Sequence, residues 1–212
     1  MVNLKDQFKI EKIKFPKLSE TYKISLVAVG IAINVALVAI RTALNLPVFI
    51  DQGGMMLVSM IAGPWWGIIT AVMGSVVMGL TISPTSLIPL LWATPITTAL
   101  LWGFGTKYSM TRSWPKYAIL LVLLAFCLSV VTSPIIVYLF GGVSGTGGAD
   151  LLFTVLFKSW GDMLTARFWA EFPTSILDKV ILSVLVLSIV RAIPKAEIQR
   201  LTPWHKEEKP SQ

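Results

Sequence analysis

The sequence predicts an all-α integral membrane protein, a six-transmembrane-helix bundle with an interfacial or re-entrant helix in its fifth loop. Three observations predict it. Apolar residues make up 55% of the 212 residues and charged residues only 14%, against about 25% charged in an ordinary soluble domain. The mean hydropathy is +0.75. From Ile24 to about Val190, apolar segments follow one another, and the few charges fall mostly at segment ends and in one late cluster. A spanning helix takes about 20 mostly apolar residues, so this run has room for roughly six spans with short loops. Six short spans make one bundle, hence a single membrane domain over residues 1–212. Its parts are a basic segment over 1–22, the bundle over 23–193 and a tail over 194–212.

Span one runs from Tyr22 to Leu46 and stops at Pro47. Asp51-Gln52-Gly53-Gly54 reads as a short polar turn, with Asp and Gly in their usual turn roles. Met55–Ile61 is apolar but too short to span alone, and Gly63-Pro64 ends it, so spans two and three are tilted or broken there. Trp65–Leu80 is the third span, and the Ser, Thr and Pro residues of Thr81–Ser86 break the chain after it. Leu87–Gly105 is span four and Tyr117–Phe140 span five, with Lys107, Arg112 and Lys116 between them. Gly141–Gly148 holds five glycines in eight residues and reads as a flexible loop. Residues 149–171 mix Asp150, Lys158, Asp162, Arg167 and Glu171 with Leu, Phe and Trp. A charge at the bilayer centre costs about 2.5–3.5 kcal/mol on insertion scales. That stretch therefore reads as an interfacial or re-entrant helix on the outer side. Phe172–Ile193 is span six, ended by Pro194.

Charge sets the orientation. Residues 1–23 carry six lysines against Asp6, Glu11 and Glu20, and basic residues also lead in the tail from Arg191. Basic flanks stay in the cytoplasm, so both termini are expected to be cytosolic and loops one, three and five external. Lys107, Arg112 and Lys116 then fall on the inner side, as the rule requires. The net charge of +7 lies beside membrane segments rather than on a folded surface, which argues for membrane lipid and against nucleic acid as its partner. No cleavable signal peptide is expected, because the first 23 residues are too charged.

The chemistry-bearing motifs of common enzymes are missing from the sequence. There is no GxxxxGK[ST], HExxH or GxSxG, and the single histidine is His205 in the tail. The single cysteine, Cys127, forms no internal disulfide and no metal site. The expectation is a protein with no catalytic residue, no metal and no cofactor, which is not an enzyme. If it moves a substrate uphill, a partner or an ion gradient supplies the energy.

Four features carry functional information. Ala28, Ala32 and Ala36 stand at i, i+4 and i+8 on one face of span one, with Gly30 nearby. Small residues at this spacing let another backbone approach closely, inside the bundle or from a partner. Asp51 and Gln52 sit just past a span end, where a polar group faces both water and a cavity, although a plain turn would use them too. Asp162 and Arg167 belong to the late polar cluster, and Asp178-Lys179 follow about two turns into span six. Ionisable residues at membrane depth are functional candidates by default, and an internal pair with Arg167 or Glu171 is the structural alternative. Of the eight tryptophans most suit the interfacial belt, but Trp92 lies within span four near Ser83, Thr85 and Thr94, where it could stack on a flat ring. The candidate substrate-binding residues are therefore Asp51, Gln52, Trp92, Asp162, Arg167, Asp178 and Lys179.

Taken in order, these features resemble the substrate-binding S-component of an energy-coupling factor (ECF) transporter, in the riboflavin-transporter-like group. The resemblance covers about Leu26 to Pro194. It rests on six short spans, the Ala28/Ala32/Ala36 ladder, and Leu46-Pro47 and Asp51 running into Gly63-Pro64-Trp65-Trp66-Gly67. The Asp178-Lys179 pair and the closing Ile193-Pro194 complete it. It implies a subunit of an ABC-type importer in the plasma membrane of a prokaryote. Such a subunit captures a vitamin-like micronutrient near the outer face, with loops one, three and five gating the pocket. It implies that Ala28, Ala32 and Ala36 contact a transmembrane T-component, which two cytosolic ATPases drive. Aromatic and mixed-charge side chains near the outer face suit a flat heterocycle with polar edges, such as a flavin, pyrimidine or pyridine vitamin. The rival classes are a membrane sensor module, which would normally be fused to a signalling domain, and a self-sufficient secondary transporter, which would favour internal repeats.

Overall fold

A computed structural model of the protein describes residues 18–44, 46, 49–111, 113–145 and 147–192. The basic tails, Pro47, Arg112 and Ile193-Pro194 lie outside the described residues. The described chain is all-helical: α1 (Glu20–Ala43), α2 (Gly53–Ala62), α3 (Pro64–Thr81), two 3₁₀ turns (Pro84–Leu87 and Pro89–Trp92), α4 (Ala93–Lys107), α5 (Trp114–Phe140), α6 (Gly147–Trp160) and α7 (Met163–Ala192). Four of the helices, α1, α3, α5 and α7, are long and apolar enough to cross a membrane.

Local chemistry sets the ends. The Ser19 hydroxyl accepts from the Tyr22 N–H at 3.3 Å and caps α1. Gly63, at φ +99°, makes the break between α2 and α3, and Pro64 opens α3 where a helix needs no N–H. Gly141, left-handed at φ +63°, stops α5.

The arrangement revises three readings of the sequence. Gly53 and Gly54 are not a turn; they form the first turn of α2, and both are buried. A Cβ on Gly54 would lie 1.9 Å from the Gly30 carbonyl oxygen, so α1 and α2 cross backbone to backbone there. Span four begins later than expected: three prolines shape the 3₁₀ turns and the first turn of α4, and Trp92 ends the second turn instead of lying inside a span. Residues 149–171 are not one separate helix either. They divide at Gly161-Asp162, and Arg167 and Glu171 belong to the first turns of a continuous α7 that carries Pro173 inside it.

Helix α2 explains how ten residues suffice. Nine of them are buried, so it is covered by protein around its circumference and need not match a bilayer's thickness. Met56, Leu57, Met60 and Ile61 join Leu37, Trp102, Leu120, Leu124, Leu182 and Val186 in the main core. Outward faces are apolar too: Val29, Ile69, Met73, Val122, Phe126, Leu177 and Val184 are all exposed. An apolar outer surface around an apolar core is the pattern that lipid stabilises.

Candidate functional site

Above that core the helices part around a cavity of about 400 Å³, within the range of small-molecule sites. The C-terminal halves of α1, α3 and α5 meet the starts of α2 and α4 and the first half of α7 at this end. The segments 49–52, 83–92 and 143–145 complete the wall.

Six of the seven candidate residues line it: Asp51, Gln52, Trp92, Arg167, Asp178 and Lys179. Asp162 does not. It is exposed, and its carboxylate accepts from the Thr165 N–H at 2.8 Å, which makes it the cap of α7. The bonds from Thr165 hold its carboxyl below the ordinary range.

Each lining group is held by identifiable partners. Buried Gln52 presents its amide oxygen to two donors, the Lys179 ammonium at 2.5 Å and the Thr98 hydroxyl at 2.8 Å. Lys179 thus ties α7 to the entry of α2, rather than pairing with Glu171, which Arg167 holds. Trp92 donates its indole N–H to the Ser86 carbonyl at 2.8 Å, which fixes the ring at the cavity wall. Asp178, only 3% exposed, accepts from the Phe49 N–H, yet its Oδ1 meets no donor. Asp51 Oδ1 is also buried without a donor.

Arg167 is the hub. It is fully buried, and its guanidinium donates to Asp150 at 2.8 Å, to Glu171 at 2.6 Å, to the Ser144 hydroxyl at 3.1 Å and to the Gly142 carbonyl at 3.3 Å. Asp150 in turn accepts from the N–H groups of Ser144 and Gly145. Burial pushes the Asp150 carboxyl up, but the Ser144 N–H and hydroxyl and the Arg167 guanidinium outweigh it and hold it below 3.8. The glycine-rich segment 141–145 is therefore fastened to α6 and α7 at the cavity rim.

The structure adds lining residues that the sequence reading did not select: Asn34, Arg41, Thr94, Thr132, Glu171 and Ser175. Asn34 had a signal, being a lone amide inside an apolar helix; its oxygen accepts from the Gly54 N–H at 2.7 Å. Arg41 lies 5.1 Å from the Phe49 ring centre, a cation–π contact at the end of α1.

Ala28, Ala32 and Ala36 are all exposed. At about 100° per residue they lie on the side of α1 opposite Asn34, Val38 and Arg41, which face the cavity. Gly30, by contrast, is buried against α2. The chain matches no family model, no curated protein and no solved structure.

Proposed function

We propose that the chain is the substrate-binding S-component of an ECF-type transporter, which captures a vitamin-like micronutrient and passes it through a T-component driven by two ATPases. The observation that carries the reading is the cavity at one end of an apolar helical bundle, walled by charged and aromatic side chains of this one chain. Support also comes from α1, which turns Asn34, Val38 and Arg41 to the cavity and leaves its alanine ladder bare. On this reading α1, α2, α3, α4, α5 and α7 make six crossings in the plasma membrane of a prokaryote, and α6 lies at the interface. Both termini are cytosolic, the cavity opens outward, and segments 49–52, 82–92 and 141–145 belong to its outer loops.

Ala32→Trp tests it. A close helix seam does not accept an indole: overpacking costs about 1–3 kcal/mol, roughly ten- to a hundredfold in partner affinity. The variant, expressed in the native host, is expected to lose the co-purifying T-component and ATPases while keeping its folded elution volume. Partner recovery equal to the wild type would leave the ladder facing lipid and remove the basis for the partner assignment.

A further inference from the structure

We infer that the cavity takes an organic cation bearing N–H donors, a protonated amine or amidinium on a flat body, and that Asp51 and Asp178 hold it. The inference rests on the cavity being a ligand site and names the ligand's charge.

It comes from charge accounting along the wall. Carboxylates accept hydrogen bonds and cannot donate them. Asp51 and Asp178 each keep a buried oxygen that no donor among the described residues reaches. A buried acceptor left unmet is unfavourable, and a charged one more so. No local cation bonds to either free oxygen among the described residues. Lys179, adjacent to Asp178, sends its ammonium to Gln52. Arg167 lies on the same face of α7 three turns away, about 16 Å along the axis, and is already held between Asp150 and Glu171. Arg41 rests on the Phe49 ring. Among the described residues neither Asp51 nor Asp178 is in an ion pair.

The lining holds as many cations as anions, but its ion pairs leave out Asp51 and Asp178. Arg41, Arg167 and Lys179 face Asp51, Glu171 and Asp178 in the lining, and Asp150 adds a fourth carboxylate behind Arg167. A ligand with a positive N–H group gives the two free oxygens charge-assisted bonds, the strongest kind available there. Trp92, Phe49 and Phe140 also line the cavity, and aromatic faces favour both a flat body and a nearby positive charge.

Three probes of one shape and different charge test this on the full chain in detergent: benzamidine, benzamide and benzoate. By calorimetry benzamidine is expected to bind at least about tenfold more tightly than either of the others. Asp51→Asn and Asp178→Asn are each expected to weaken benzamidine by about tenfold or more, with Val29→Ala, on the outer face, unchanged. Should Asp178→Asn fail to fold by size exclusion, Asp51→Asn and the probe series still decide. Benzoate binding as well as benzamidine, no probe binding at all, or asparagine variants with full affinity would each overturn the inference. Partner recovery from the same membranes separates the two claims. Partners without benzamidine binding leave the subunit reading standing and remove the cation; benzamidine binding without partners does the reverse.

Discussion

Arg167→Ala is expected to destabilise the protein by about 3–5 kcal/mol, the cost of removing one member of a buried ion pair and leaving the other charged. The setting places it at the high end. The guanidinium is fully buried between Asp150 and Glu171, so its loss leaves the buried Glu171 without its cation and Asp150 with only its Ser144 and Gly145 donors. It also removes the bonds to the Ser144 hydroxyl and the Gly142 carbonyl, which releases segment 141–145 from α7 while Asp150 still holds it to α6. Arg167→Lys should recover only part of the loss, because an ammonium lacks the planar fork that reaches both acids at once. Thermal unfolding in detergent reads the stability, and protease cleavage within 141–145 reads the release. The effect has a pH signature. A carboxyl held below its ordinary value stabilises the fold above that value and loses the contribution as pH falls through the folded one. The Asp150 share of the gap between wild type and variant should therefore shrink below about pH 4. An Arg167→Ala protein that melts with the wild type at neutral pH would contradict the hub.

Gly54→Ala is expected to be as damaging, for a different reason. The added methyl would sit 1.9 Å from the Gly30 carbonyl oxygen and 3.0 Å from the Asn34 amide oxygen. Both obstacles are held by α1, so neither rotates away, and the two helices must separate. Overpacking costs about 1–3 kcal/mol where side chains can adjust, and more where backbone must move. Parting the crossing also stretches the Asn34 to Gly54 hydrogen bond and displaces Asn34 from the cavity wall. Gly74→Ala is the control, since its methyl would meet only the Asn34 amide nitrogen at 3.6 Å and Ile31 Cγ1 at 3.9 Å, both ordinary contacts. Helix propensity alone favours that change by about 1 kcal/mol. Yield of monodisperse protein and melting temperature should fall sharply for Gly54→Ala and hold for Gly74→Ala.

These two sites show what hydropathy and motif reading can reach. The long apolar helices were legible because a span has a length and a composition. Asp51, Gln52, Arg167, Asp178 and Lys179 stood out because ionisable and amide groups among apolar residues need a partner or a cavity, and the cavity gathers all five. Trp92 was found through its polar neighbours, although it ends a 3₁₀ turn and not a span segment. Asp162 carried the same signal and had a local use, because a carboxylate just before a helix caps it. Gly53-Gly54 looked like a turn because nothing in the sequence shows that α1 crosses there. The continuity of α7 was hidden for a related reason. Arg167 and Glu171 count as two charges in a hydropathy window, yet at i and i+4 they pair with each other. Asn34 carries the signal of a lone amide in an apolar helix, whereas the inward orientation of Arg41 depends on the neighbouring helices, which composition does not encode.

Mass spectrometry of the small molecules released by heating the detergent-purified full chain tests the central claim most directly, with Asp178→Asn purified alongside. The account predicts one compound in near-stoichiometric amount from the wild type, carrying a basic nitrogen and a flat ring, and at least about tenfold less of it from the variant. Equal recovery from both proteins, or no compound from a wild type that co-purifies with no transport partners, would contradict it.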